Sequence, residues 1–398
     1  DLNGTSITAL PDKVTADGQE TAQIRVNLYD TYNQPLRDRR IDIRIDGDQV
    51  GHVTVEKVNN GFTNIHGSAV FYVSGDVLQT VTITAIDVET NTELGQVLVH
   101  FVPGEPDAST STIQVSSPQV TANGTDRSMI KVWLRDASGY AISGKQVQLS
   151  ASNDRSLVTP IAGGVTNAEG MAAFWVSHDT PEVLEYTAQD GDGKVSLTAQ
   201  VSFMPGALDR DASTMGISNT EVTANGHDET TVSVVLRDSN GHELSGRRVV
   251  LIADSANAAI HAVNDGVTGP DGTAVFTVRN AVIETVTLTA QDEPSGIVLP
   301  TSVQVVFTTP PVDGAQSSLA IEGAKDHVLA DGNDETTIVA ILRDHDGQPL
   351  GGRKVQLIAS SEDAIINPVD GGITNSDGEA RFKVSNLQAE TVTYVAED

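Results

Sequence analysis

The side chains that could carry out catalysis are present in this chain, but their spacing does not assemble them. Nine histidines are scattered through 398 residues. None falls in a His-Glu-x-x-His run or another paired spacing that sets two imidazoles on one metal. There is no Gly-x-Ser-x-Gly elbow for a serine nucleophile and no glycine-rich loop that would cradle phosphate. Cysteine is absent, so thiolate metal sites and disulfides are too. Carboxylates are plentiful, 54 Asp and Glu against 24 Lys and Arg, so two of them falling close together carries no weight. Asp190-Gly191-Asp192-Gly193 opens like a calcium loop, but Val201 stands at its twelfth position in place of Glu. A hairpin turn is the expected form. Glu105, Asp107, Asp209, Asp211 and Asp313 stand where calcium would stiffen a joint between modules, but they do not repeat in register with a partner set. An enzyme is not expected, and neither is a bound cofactor or metal.

The residues that stand out are those of recognition. Trp133 and Trp175 are the two tryptophans of the chain. Trp133 lies between Val132 and Leu134, and Trp175 between Phe174 and Val176. In strands whose apolar neighbours face a core, both indoles point outward. Met129 and Met171 share that parity. Four such side chains on one sheet face would form an apolar contact patch. The alternative is that a loop or neighbouring module covers them. A second candidate group is Arg37, Arg39, Arg40 and Arg44 with Tyr29 and Tyr32, since Arg and Tyr are common at interfaces. A solvated strand face explains that cluster as well.

What positions these residues is a repeat. Ala16-Asp17-Gly18, Ala122-Asn123-Gly124, Ala224-Asn225-Gly226 and Ala330-Asp331-Gly332 recur at roughly 102 to 106 residues, the size of one small domain. After each comes an alternating strand, such as Ile130-Lys131-Val132-Trp133-Leu134, whose first, third and fifth residues are apolar. A turn with Asp first follows, as in Asp136-Ala137-Ser138-Gly139. Next come a basic residue and a second strand, as in Gly144-Lys145-Gln146-Val147, and then a Gly-x-Ala-x-Phe strand such as Gly170 to Phe174. A further strand ends in Ala85, Ala188, Ala290 or Ala396. The first three modules close on a strand ending in Phe101, Phe203 or Phe307. No period of 3.6 persists. About seven short strands per module predict an all-β chain of four tandem immunoglobulin-like sandwiches, spanning 1–104, 105–206, 207–312 and 313–398. Short linkers containing proline, such as Pro103-Gly104-Glu105-Pro106, predict an extended rod of roughly 150 Å, if each module adds strands of about 3.3 Å per residue plus end loops.

Taken in order, these motifs resemble the bacterial Ig-like domains of the intimin/invasin group, the inverse autotransporter adhesins of Gram-negative bacteria. The resemblance covers nearly the whole chain, four times over. It implies a stalk segment displayed on the extracellular side of the outer membrane. That stalk would space and present binding regions for attachment to host cells or other bacteria. A direct binding module for a host protein or glycan, working through module two or module one, is the alternative. The family's tip domain has no counterpart here, so its receptor binding does not carry over. The chain begins within a repeat's leading linker and reads as a piece of something longer. Module four lacks the counterpart of Val303 to Phe307, so the segment from Thr391 to Ala396 is expected to present an unpaired edge.

Bulk charge narrows the partners. A formal net charge of −30 and a pI near 4.4 oppose binding to nucleic acid or to anionic lipid. No stretch approaches the length of a membrane-spanning helix, so insertion of this segment into a membrane is not expected. On its own the chain is expected to be monomeric.

Overall fold

The computed structural model describes residues 4–398. It is built of β-strands and short 3-10 turns. Two compact units divide it, one ending at Gly206 and the other running from Ala207 to Asp398. Each unit holds two sandwiches.

Module two shows the plan. One sheet runs in the order Leu157–Ile161, Met171–Ser177, Ser128–Trp133, Thr112–Val115. The other runs Gln119–Thr121, Ser196–Met204, Glu182–Asp190, Val147–Ala151. Modules one and three repeat both four-stranded sheets. That gives eight strands where the sequence predicts about seven. The difference is the leading segment, which serves both sheets. Thr112–Val115 pairs antiparallel with Ser128–Trp133, and Gln119–Thr121 then pairs parallel with Ser196–Met204. Pro118 lies between them and cannot donate a ladder bond, which suits a change of sheet.

Alternation decides what is buried. Ile130, Val132 and Leu134 face inward opposite Ala172, Phe174 and Val176, while Leu184, Tyr186, Val201 and Phe203 enter from the second sheet. The Gly-x-Ala-x-Phe motif has a steric basis. Gly170 sits at φ +76°, and a Cβ there would lie 2.6 Å from the carbonyl oxygen of Leu134. Gly67, Gly272 and Gly378 repeat this against Leu28, Leu236 and Leu342. No L side chain fits so close an approach of two backbones at positive φ.

The opening phrase is a capped turn. Asn123 Oδ1 accepts from the amides of Thr125 and Asp126, and Asp17, Asn225 and Asp331 do the same in their modules. The following glycine donates its amide to the end of a strand in the neighbouring sheet position, Gly124 to the His178 carbonyl at 3.0 Å. Ala16, Ala122 and Ala224 are buried because their amides bond to the closing strand.

Module four differs. Its second sheet has two described strands, Gln356–Ala359 and Tyr394–Glu397. Val328, the counterpart of Val14, Val120 and Val222, lies outside any strand, and Ala330 is exposed. Ser318–Ile321 still pairs with Thr336–Ile341, but among the described residues no closing strand pairs in parallel with the second half of the leading segment. Amide hydrogen exchange in this chain is therefore expected to be faster across Tyr394–Glu397 than across its counterpart Thr285–Asp292. Equal protection would show that module four is stable with one edge of that strand unpaired.

Candidate functional site

The strands Ser128–Trp133 and Met171–Ser177 lie side by side and antiparallel. Their register sets Met129 opposite Trp175, Lys131 opposite Ala173 and Trp133 opposite Met171. The flanking strands extend the outer rows. Thr159 lies beside Trp175, Ile161 beside Ala173, Gln114 beside Lys131 and Thr112 beside Trp133. The structure thus brings all four predicted apolar residues onto one outer sheet face. Each is half-buried, and Ala173 between them is only 7% exposed. Neither indole N–H has a hydrogen-bond partner among the described residues, and Lys131 and Arg127 make no ion pair there.

Module two is distinctive in this. The same face of module three carries Ser233, Val235, Val275 and Thr277. In module four its cations are neutralised, Arg381 by Glu379 at 2.8 Å and by Glu322 at 3.5 Å, and Lys383 by Glu335 at 3.5 Å. In module one Arg25 is tied to Gln23 at 3.3 Å, and Gln23 to Tyr72 at 3.2 Å.

The arginines of module one do not converge. Arg44 bridges Asp46 at 3.2 Å and Glu93 at 2.9 Å. Arg37 is exposed and lies 4.0 Å from its own neighbour Asp38. Arg40 is exposed, and its carbonyl accepts from the Val88 amide. Tyr32 is 83% exposed at the tip of the Asp30 turn. Arg39 is half-buried and held by Asp87 and Glu89.

Arg39 belongs to a repeated device that the sequence reading overlooks. The strand ending in Ala carries an Asp two residues later, at Asp87, Asp190, Asp292 and Asp398. Asp87, Asp190 and Asp292 are buried. Arg39, Arg247 and Arg353 cover Asp87, Asp292 and Asp398. In module two Lys145 turns instead to Asp192 and to Glu105 at 3.6 Å, while Asp190 accepts from the Val195 amide at 2.7 Å. The signal is present in sequence as Ala-x-Asp paired with the basic residue of Gly-Lys/Arg-x-Val. Burial raises the pKa of Asp292, but the hydrogen bond and charge of Arg247 and the Ser295 hydroxyl outweigh it and hold the carboxyl below the usual range.

The joint carboxylates act as turn caps. Asp107, Asp209 and Asp313 accept the amides two residues on, at 2.8, 2.8 and 2.7 Å. Among the described residues no group of three or more His, Cys, Asp or Glu is placed to hold a metal ion. Asp190 to Gly193 is a hairpin turn, closed by the Gly193 amide on the Asp190 carbonyl at 3.0 Å. In the first unit Tyr140 packs against the core of module one and donates its hydroxyl to the Asp76 carbonyl at 2.8 Å. The Gly104 amide donates to Asp136 Oδ2 at 2.8 Å. In the second unit Asn225 Nδ2 donates to Asp346 Oδ2 at 3.4 Å.

Such two-sheet modules, set in tandem with capped turns and one aromatic outer face, define an array of immunoglobulin-like domains. Residues 5–102, 110–204, 212–308 and 318–397 match the bacterial Ig-like domain (group 1) family, and the chain belongs to it. It is 21% identical over 384 residues to the inverse autotransporter adhesin YeeJ of Escherichia coli strain K12, a match covering 94% of this chain and 16% of that protein. The chain therefore spans about one sixth of that relative's length. The crystal structure of invasin, described as a bacterial integrin-binding protein, superposes with a TM-score of 0.52 at 17% identity, over 98% of this chain and 78% of that one. InvD of Yersinia pseudotuberculosis gives 0.43 at 18% identity, over 72% and 82%. At this identity the likeness to invasin shows the fold alone.

The Asp292 pair gives a test. R247A leaves a buried carboxylate uncovered, and is expected to lower the stability of module three by up to about 3 kcal/mol at pH 7. Asp292 has a folded-state pKa below its unfolded value of about 3.9, so its contribution is present above that pH and is lost as pH falls through the folded pKa. The difference between R247A and the parent in denaturant melts should shrink over that acidic window.

Proposed function

We propose that this chain is a stalk segment of an outer-membrane-anchored bacterial adhesin of intimin/invasin type, displayed on the extracellular side. Its role is to space and present binding regions for attachment to host cells or other bacteria. The observation that carries this reading is that the likeness to YeeJ runs through all four modules rather than through one. Repetition of a single sandwich adds length with each copy, and an enzyme site would not call for it. The short linkers, closed by Gly104 on Asp136 in the first unit, support presentation at a set orientation. The strongly acidic surface favours solubility and mutual repulsion of neighbouring stalks.

A second reading is favoured by the gathering of Trp133, Trp175, Met129 and Met171 on one face. In it, module two touches a host protein or glycan directly, with the exposed Arg37, Arg40 and Tyr32 of module one as a lesser surface. Large aromatic side chains dominate contact energies where they are found at surfaces.

The purified chain separates the two. A pure spacer gives a maximum scattering dimension near 150 Å, on the estimate of about 3.3 Å per strand residue plus loops, and no adhesion to cultured cells. Adhesion that is lost in the W133S/W175S variant, with thermal stability retained, would establish the second reading. A compact scattering profile would overturn the first.

A further inference from the structure

We propose that the outer face of module two is a platform for a linear acidic polysaccharide. An internal uronate carboxylate sits on Lys131, and the sugar rings on either side stack on Trp133 and Trp175. This rests on the direct-contact reading of module two and narrows it to one ligand class.

The register carries the geometry. Trp175 lies opposite Met129 and Trp133 opposite Met171, with Lys131 and Ala173 paired between them. Lys131 therefore stands midway along the diagonal that joins the two indoles. Four residues separate the ends of that diagonal along the strand, roughly 13 Å at about 3.3 Å per residue. A single sugar does not span this, whereas an extended chain of several rings does. A terminal acidic sugar would reach Lys131 or one indole, not the full diagonal.

The chemistry matches the same ligand. An indole presents a broad apolar face with one N–H at its edge, and neither N–H has a partner among the described residues. A pyranose ring likewise has an apolar C–H face and a polar rim. Lys131 is half-buried between Ala173 and Gln114 and makes no ion pair among the described residues. A partly desolvated cation gains most from an anion brought to it.

Charge decides against a protein partner of ordinary composition. The chain as a whole carries −30, yet the paired outer rows formed by Thr112, Gln114, Lys131, Thr159, Ile161, Ala173 and the four apolar residues contain no carboxylate. A protein surface brings cations as well as anions, and those cations would find no counterpart here. A short polyanion lying on this face feels Lys131 at contact, while more distant carboxylates are screened beyond about 8 Å at physiological salt.

Because Trp133 and Trp175 are the only tryptophans in the chain, intrinsic emission reports on this face alone. The full chain is titrated with hyaluronan hexasaccharide, which alternates uronate with N-acetylglucosamine, and with chitohexaose, which is neutral. A saturable emission change is expected with the hyaluronan oligomer, with affinity at least about tenfold weaker for chitohexaose and for K131Q, the loss of one charge-assisted hydrogen bond. K131Q leaves the core untouched, and an unchanged melt confirms its fold. In W133S/W175S, calorimetry should detect no binding. No response to the hexasaccharide at millimolar concentration, or equal affinity of K131Q, overturns the proposal. So does an emission change driven by protein concentration alone, which would mark self-association. If adhesion to cells depends on the two tryptophans while the hexasaccharide is ignored, the glycan assignment falls and the contact reading stands. If neither responds, both fall.

Discussion

Each sandwich depends on its closing strand. In module two, Ser196–Met204 supplies Val201 and Phe203 to the core and pairs antiparallel with Glu182–Asp190 along one edge. Along its other edge it holds the leading segment Gln119–Thr121 in parallel. That second pairing buries Ala122 and fixes the start of the turn through Asn123 and Gly124. Module four displays the same dependence from the other side. The second half of its leading segment, around Val328, forms no strand, Ala330 is exposed, and its buried core is smaller. Its turn cap is nonetheless made, with Asp331 accepting from Asn333 and Asp334. Local hydrogen bonding thus forms the turn, and tertiary pairing decides whether the turn is anchored.

Much of this was legible in the sequence, for identifiable reasons. Alternation at Ile130, Val132 and Leu134 reads directly as a strand with one buried face, and it fixes the outward direction of Trp133 without coordinates. The glycine of Gly-x-Ala-x-Phe reads as a turn, though the clash with Leu134 that demands glycine is a tertiary fact. The division of the leading segment between two sheets was not legible, since three-residue strands such as Gln119–Thr121 are too short to carry a period. The pairing of Arg39 with Asp87 was missed because its partners are 48 residues apart. As a result the arginines of module one looked like a cluster. Proximity in sequence overstated their proximity in space.

The contrast between repeated and unrepeated residues organises the molecule. Residues that recur in register explain closure: the inward Phe, the close-approach glycine and the Asp under a basic side chain. Most of the polar and aromatic departures from register lie on outer rows, although Tyr186 fills a core place held by Ile83 and Leu288 elsewhere. The outer face of module two is the clearest case, where rows that elsewhere hold threonine, valine or paired charges hold tryptophan, methionine and a lysine with no ion pair among the described residues. A buried position has little freedom to vary, because packing density and polar satisfaction both constrain it. An outer sheet row has that freedom, so specialisation is cheapest there.

The bond from the Tyr140 hydroxyl to the Asp76 carbonyl has a mechanical side. It joins a neutral donor to main chain, beside apolar packing against module one. Screening by salt weakens ion pairs, but it has little hold on such a contact. In the second unit the joint runs from the Asn225 amide to the Asp346 carboxylate, an exposed and longer contact with an ionised acceptor. The first hinge also holds the Gly104 amide on the Asp136 carboxylate and Glu105 near Lys145 and Lys194, so added salt should weaken these charged contacts and leave the tyrosine contact in place. The Asn225–Asp346 contact lies open to the same screening, so in the second unit a load meets a contact that salt reaches directly.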